Sequence, residues 1–407
     1  MSNNNYDLIV AGGGAAGFFA AINCAINFPH FKIAILEKHD KVLQKVLVSG
    51  GGRCNVTHNC IDNKKLVKNY PRGEAELISV INTFNVPKTI NWFKERGIQL
   101  HAEKDGRMFP TTNNSRTIID CFINETEKLN ISVLLKHEIK SVEKQNEYFL
   151  IETTDGEFSS EYFIATIGGF HKLQHYQWLQ QLGHSIVKPI PSLFTFNIEN
   201  HKLNDLMGVS VNNAIIKIVE TKQEFAGHLL ITHWGFSGPA IIKLSAFAAE
   251  KLHELQYNYT IAINWVGEKN NELVKNNLLD CKESNHLKSI QNALPYDLPK
   301  RLWHHFFELA EIDPITKWAE ISNKKLNKLS EILCNSLYTA KGKTTYKEEF
   351  VTCGGVSNIE IDFRSMQSKK VPNLFFAGEV INVDGITGGF NFQAAWSTAY
   401  VAAKLSL

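Results

Sequence analysis

Tyr6-Asp7-Leu8-Ile9-Val10-Ala11-Gly12-Gly13-Gly14-Ala15-Ala16-Gly17 is the stretch that decides how this chain folds. A short apolar run of strand type enters it, and the run Phe18 to Phe28, rich in Ala, Phe and Ile, leaves it as a helix. The spacing Gly12-x-Gly14-x-x-Gly17 is that of a dinucleotide-binding turn. Gly12 permits the tight turn, Gly14 lets a pyrophosphate approach the backbone, and Gly17 lets the helix pack close to the strand. Gly13, Ala15 and Ala16 complete a turn of small residues. The helix N-terminus then offers free N–H groups and a positive dipole end to the phosphates. A second strand, Lys32-Ile33-Ala34-Ile35-Leu36, ends in Glu37, followed by Lys38. A carboxylate about twenty residues beyond the turn can accept both ribose hydroxyls. It would repel the 2′-phosphate of NADP. Without that strand, helix and acid the motif would read as a plain βαβ turn.

The opening theme returns at the other end of the chain. Val371 to Glu379 is a buried strand ending in Gly378-Glu379, and Asn382 to Asn391 is a second Gly-rich loop. The helix Phe392 to Leu405 follows, with Phe392, Ala395, Trp396 and Ala399 on one face. A nicotinamide domain does not need this second strand–Gly–helix element; an extended FAD does. Glu379 is the candidate for the ribitol hydroxyls. The turn Gly388-Gly389-Phe390-Asn391 would aim helix N–H groups at the flavin N1–C2=O edge, where the dipole favours the charge of the reduced form. Two further stretches fit the same cofactor. Ser49-Gly50-Gly51-Gly52-Arg53-Cys54-Asn55 carries glycines able to lie flat against a ligand, an arginine for a phosphate and an amide for a flavin heteroatom. Ala165-Thr166-Ile167-Gly168-Gly169 is an apolar strand whose small end a dinucleotide could cross. Glu138–Val142, Tyr148–Thr153 and Phe158–Ala165 read as an antiparallel meander, with Asp155-Gly156 at a hairpin turn. Such a meander inside a parallel unit is typical of FAD domains of the glutathione-reductase type.

Between these parts, helices are expected over Glu74 to Arg96, with Leu77, Ile78, Ile81 and Phe84 inward, and over Arg116 to Leu129 with Ser115 as its cap. Arg107 to Pro110 reads as an elbow. From about Pro189 the composition turns to β, with strands at Leu193–Ile198, Ala214–Val219 and Tyr259–Ile263. Gly227 to Pro239 reads as an ordered loop leading into a helix. Asn270 to Leu333 reads as a small helical module. The expected architecture is α/β: a discontinuous FAD-binding domain, residues 1–189 plus 346–407, of Rossmann-like glutathione-reductase type. A β-barrel-like domain, residues 190–268 plus 334–345, and a small helical domain, residues 269–333, are inserted.

At 407 residues, with 44% apolar and 21% charged residues, the chain is long enough for two or three domains with ordinary soluble composition. A formal charge of +2 gives no bulk reason to expect nucleic acid or anionic lipid as a partner. No signal peptide is read at the N-terminus and no apolar run suggests a membrane span. Seven scattered cysteines fit a reducing cytoplasm. Cys54 and Cys60 lack the C-x-x-C spacing of a redox pair. His171 and His175 share a helical face but have no third ligand in view, so no metal is expected.

Taken together, Gly12–Gly17, Ser49–Asn55, Thr232-His233-Trp234-Gly235-Phe236-Ser237-Gly238-Pro239 and Ala377 through Asn391 resemble bacterial flavoproteins of the aminoacetone oxidase-like, or YhiN/BaiN-like, NAD(P)/FAD-dependent oxidoreductase family. The resemblance runs along nearly the whole chain. It implies an FAD oxidoreductase moving hydride between flavin and a small or medium organic substrate, by amine oxidation or by reduction of an unsaturated bond. One stretch departs from the family pattern: Phe170 to Tyr176 stands where many members have a Ser-Tyr-Pro and Thr-Gly-rich segment. No second G-x-G-x-x-G unit is present for NAD(P)H, so that cofactor is expected only as a transient electron donor. His233 in its Gly-bounded loop is the candidate proton-transferring group, against a structural role, and Asp384 is either a flavin-side group or a turn cap. Two other readings stand beside this one: an FAD-dependent RNA-modifying enzyme, and a flavin-binding sensor without turnover.

Overall fold

The computed structural model describes residues 4–199, 203–344 and 351–406. Its internal contacts divide the chain into two compact units, Met1–Ser192 with Tyr346–Leu407, and Leu193–Thr345.

The first unit is an α/β domain of Rossmann type. Its sheet places Leu374–Phe376, Gly156–Ala165, Asn5–Ala11, Ile33–Glu37 and Ser132–Leu135 side by side and parallel. Val10 faces Ile35 on one side and Ile164 on the other, and all three are fully buried. Strands covered on both faces have no need of polar alternation, so they read as continuous apolar runs. Gly156–Ala165 has two roles. It closes the antiparallel meander with Ile139–Gln145 and Tyr148–Thr153, and it runs parallel between the opening strand and Leu374–Phe376.

Two helices cover the sheet, Ala15–Asn27 from the first Gly-rich turn and Phe390–Ala402 from the second, and they pack on one another. Phe19 sits where they meet, its ring centroid 4.5 Å from Trp92, 5.3 Å from Trp396 and 5.4 Å from Phe84. Each such buried ring contributes about 1.5–3 kcal/mol. The closing helix is buried on nearly every side rather than along the single face that its apolar residues suggest. Its polar side chains are therefore paired internally. Thr57 donates to the Gln393 carbonyl at 2.6 Å, the Gln393 amide donates to Ser397 at 2.9 Å, and Ser397 donates to the Phe84 carbonyl at 2.7 Å.

Local differences have local causes. The helical pattern at 74–96 is two helices, Glu74–Thr83 and Val86–Lys94, because Asn85 caps the second through the Lys88 N–H and Pro87 sits in its first turn. Val80 is buried there, while Ile78 is 44% exposed. Ser115 does not cap its helix; its hydroxyl donates to the Leu47 carbonyl at 2.8 Å. Arg107–Pro110 is no elbow but the middle strand of a small sheet with Thr57–His58 and Leu100–Ala102.

The second unit is a closed six-stranded barrel in the order Thr195–Ile198, Gly235–Ser237, Glu224–Thr232, Ser210–Ile218, Asn258–Asn264, Ser336–Thr344. The expected loop at 227–239 is thus mostly two strands joined through His233 and Trp234. Its glycines serve close approach rather than loop freedom. A Cβ on Gly235 would fall 2.3 Å from the Phe196 carbonyl oxygen of the neighbouring strand. The helix Pro239–Phe247 begins where expected. Helices Asn271–Ser284, Lys300–Leu309 and Asn323–Asn335 share one apolar core with the barrel, in which Trp265, Phe306 and Leu326 are buried together.

Candidate functional site

Two turns and two strand ends of the first unit adjoin one another. In the first turn a Cβ on Gly17 would lie 1.9 Å from the Gly12 carbonyl oxygen, so helix and turn can touch only with glycine there. Around Gly14 nothing approaches within 4 Å of a built Cβ, so the backbone there is open to a ligand. Ala15 and Ala16 begin the helix. Glu37 is fixed against the turn: its carboxylate accepts from the Gly13 N–H at 2.8 Å and from the His39 N–H at 2.9 Å. An ionised carboxylate keeps capacity for further donors, such as ribose hydroxyls. The Lys38 ammonium lies 4.2 Å from the Phe170 ring centroid, and burial holds its pKa below the ordinary value against the pull of Glu138 and Glu37.

Thr166 ties the third strand to this turn, donating to the Ala11 and Gly12 carbonyls at 2.8 and 3.1 Å. Gly168 is open around its built Cβ, whereas Gly169 packs against Thr352. Gly378, at the end of the last strand, abuts Ala16, whose Cβ would be 2.8 Å from a Cβ built on the glycine. The two ends of the chain therefore meet at the N-terminus of the first helix. Glu379, next in sequence, pairs with Lys45 at 2.5 Å.

Lys45 belongs to the segment Gln44–Gly52, which leads from the first turn to the loop at 50–55. Gly51 and Gly52 have positive φ and open space around a built Cβ. Arg53, expected to reach a phosphate, is committed elsewhere: it pairs with Glu103 at 2.7 Å and stacks over Phe109 at 4.0 Å. The Asn55 side-chain oxygen accepts from the Met108 N–H at 3.3 Å. Both residues shape the loop. Cys54 is buried, and burial pushes its thiol up to about 12, which keeps it protonated at neutral pH.

The loop leads on to the second Gly-rich turn. Gly389 lies against Thr57, whose backbone carbon and oxygen would be 2.4 and 2.5 Å from a built Cβ. The close approach that requires glycine at 389 is thus to protein backbone. Gly388 borders the rings of Phe390 and His58, which stack at 4.7 Å. The Phe390 carbonyl accepts from the Tyr70 hydroxyl at 2.7 Å, and the Asn391 amide bridges both backbone groups of Gly385 at 2.8 Å.

Asp384 is fully buried and grips Arg72 through both carboxylate oxygens, with a third bond from the Ser192 hydroxyl at 2.8 Å. Burial pushes its carboxyl up, and Arg72 and Ser192 pull it back. A carboxylate so enclosed holds the loop at 382–391 in place; it is not placed to exchange protons with a substrate. No motif marks Arg72, since its partner lies 312 positions away.

His233 lies in the second unit, exposed at the tip of the hairpin between Glu224–Thr232 and Gly235–Ser237, its ring centroid 3.8 Å from that of Trp234. His175 leans on Phe170 at 4.5 Å. Among the described residues no group of three or more His, Cys, Asp or Glu could hold a metal ion, and no helix is long and apolar enough to cross a membrane.

The arrangement fits an extended dinucleotide such as FAD. The helices leaving the two Gly-rich turns have no side-chain cap and no acidic residue in their first turns. Side-chain caps are present on the helices beginning at Asn63, Val86, Asn271 and Asn323 and absent, as here, from those beginning at Glu74, Arg116, Pro239 and Lys300. Uncapped N–H groups are what an anionic diphosphate or a reduced flavin edge would take up.

Known proteins give the same answer for the fold. The family described as HI0933-like protein Rossmann domain matches residues 6–405. The chain is 28% identical over 408 residues to the ribosomal RNA dihydrouridine synthase of Escherichia coli K12, covering 98% of this chain and 97% of that protein. It is 22% identical over 404 residues to the 3-dehydro-bile acid delta(4,6)-reductase of Clostridium scindens, covering 97% of each. The solved 3-ketosteroid-delta4-(5alpha)-dehydrogenase of Rhodococcus jostii RHA1 superposes with a TM-score of 0.52 at 12% identity, over 99% of this chain and 97% of that one.

Proposed function

This chain belongs to the HI0933-like Rossmann family and is an FAD-dependent oxidoreductase; from that premise we propose that it reduces a carbon–carbon double bond conjugated to a carbonyl, with uridine in ribosomal RNA as the favoured substrate. The observation that carries this reading is that relatives matched along their whole length are named for two versions of one chemistry. Making dihydrouridine adds hydrogen across the double bond of the uracil ring, which is conjugated to a carbonyl, and a delta(4,6)-reductase acts on unsaturation in an oxo-steroid. Amine oxidation has no such support. Uridine is favoured over a small unsaturated ketone because the RNA-modifying relative is the more similar of the two. The net charge of +2 offers little long-range attraction to RNA, so recognition is expected to be local.

Once reduced by its electron donor, a bound flavin would supply the hydride, and a proton would complete the reduction. In this reading Glu37 holds the adenosine ribose, Gly12–Gly17 and Thr166–Gly169 border the diphosphate, and Glu379 holds the ribitol. The turn Gly388-Gly389-Phe390-Asn391 favours the negative charge of the reduced flavin. His233 is the proposed proton donor, NAD(P)H the proposed transient electron donor and the cytoplasm the proposed location.

The test is anaerobic. Full-length enzyme carrying FAD is reduced with NADPH or NADH, then mixed with unmodified ribosomal RNA or with an unsaturated oxo-steroid. Flavin reoxidation by the RNA, with dihydrouridine in its digest, is expected. Reoxidation by the steroid alone would move the substrate to the small-molecule class, and reoxidation by neither would overturn the double-bond reading. His233→Ala should keep its FAD and slow reoxidation by substrate ~10²–10⁴-fold, the range of a general acid–base group. An unchanged rate would leave His233 a residue of the barrel turn.

A further inference from the structure

We propose that the hydroxyl of Thr352 is a binding contact for the FAD cofactor, an inference that rests on FAD binding and not on the identity of the substrate. Thr352 stands in the strand Val351–Val356, which pairs antiparallel with Ile186–Ser192, opposite Pro191. The residue is 1% exposed, and its hydroxyl has no hydrogen-bond partner among the described residues. Its place in the fold is specific. A Cβ on Gly169 would come within 2.5 Å of the Thr352 hydroxyl oxygen, so the hydroxyl lies against the small strand end that a dinucleotide is expected to cross. At the other end of the same strand, a Cβ on Gly355 would be 2.5 Å from the Val380 carbonyl oxygen, and Val356 bridges to Ile381. The strand thus runs from the Gly168-Gly169 end to the turn that carries Glu379.

Other buried hydroxyls of this unit are paired, Thr166 with the Ala11 carbonyl, Ser192 with Asp384 and Thr398 with the Ala394 carbonyl, while that of Ser160 shares the unpaired state of Thr352. A hydroxyl shut away from solvent without a partner is costly, and nearly all buried polar groups have one. Glycine at 169, which leaves room for this side chain, and a hydroxyl aimed at no protein atom together point to a partner supplied by the ligand. A threonine hydroxyl can donate to a diphosphate oxygen or accept from a ribitol hydroxyl. The competing explanation is a trapped water, and the two differ in what the flavin-free chain does.

The experiment uses the full-length chain with Thr352→Val, which keeps the shape and removes the hydroxyl, and Thr352→Ser, which keeps the hydroxyl. FAD is titrated into flavin-stripped protein by fluorescence, and thermal unfolding is followed with and without FAD. We expect Thr352→Val to weaken FAD about tenfold, equivalent to about 1.4 kcal/mol, and Thr352→Ser to stay near the parent. Without FAD, Thr352→Val should unfold at or above the parental midpoint, because an unpaired polar group has been removed. Parental FAD affinity in Thr352→Val would overturn the proposal. So would a drop in the flavin-free midpoint, which marks a hydroxyl serving protein or water. Should Thr352→Val fail to fold, Thr352→Ala is held to the same two criteria. No substrate enters either measurement, so failure here is separate from failure of the double-bond reading.

Discussion

Glu37 and Asp384 are both acids beside Gly-rich turns, yet their surroundings give them different work. Glu37 is half-buried and, among the described residues, held by backbone N–H groups, leaving its carboxylate able to accept from a ligand. Glu37→Ala should therefore keep its fold and lose ~1–3 kcal/mol of FAD binding, the scale of hydrogen bonds to a charged group. Parental affinity in a titration would show that the ribose lies elsewhere. Asp384 is sealed against Arg72. Asp384→Ala removes the carboxylate that balances a buried guanidinium, which costs ~3–5 kcal/mol and should appear as a large fall in the unfolding midpoint. A stable variant that is merely slow would return Asp384 to a chemical role. Cys54, its thiol raised to about 12, should resist alkylation at neutral pH until the protein unfolds. The sequence identifies these three residues as neighbours of the cofactor. It is silent on the partners of Asp384, Asn55 and Arg53, because Arg72, Met108 and Glu103 come from segments that carry no motif.

At the scale of elements, the parts legible in the sequence are those whose pattern is local. The turn from Gly12 to Gly17 could be read because each glycine answers a steric demand within a few residues, and the meander because Asp155-Gly156 marks its hairpin. Glu224–Thr232 and Gly235–Ser237 escaped that reading. Their glycines resemble loop residues, and only the neighbouring strand at Phe196 explains why Gly235 must lack a Cβ. The closing helix escaped in part for a similar reason: a helix buried all round has no polar face to contrast with its apolar one. Gly389 tests this scale of packing. With φ of +94° and the Thr57 backbone 2.4 Å from a built Cβ, Gly389→Ala should move the helix start or strain the turn. Overpacking of this kind costs ~1–3 kcal/mol. The expected result is a lower unfolding midpoint in the flavin-free chain as well as in the holoenzyme. A loss confined to the holoenzyme would show that the flavin, rather than Thr57, occupies the space beside Gly389.

At the scale of the molecule, a single α/β unit takes its first helix from residue 15 and its last from residue 390, with a barrel of other strands encoded between them. The first Gly-rich turn meets the end of the last strand at Ala16 and Gly378, so the proposed cofactor site draws on both ends of the chain. Such a two-ended site determines which flavin the protein holds. An FMN site would need no adenosine pocket at Glu37, and a nicotinamide site would need no second turn at Gly388. Acid extraction of the purified full-length protein, followed by chromatography of the released flavin and a count against protein, tests it most directly. One non-covalent FAD per chain is expected, reversibly reducible under anaerobic conditions. FMN in the extract, or no flavin uptake after reconstitution with FAD, would contradict it.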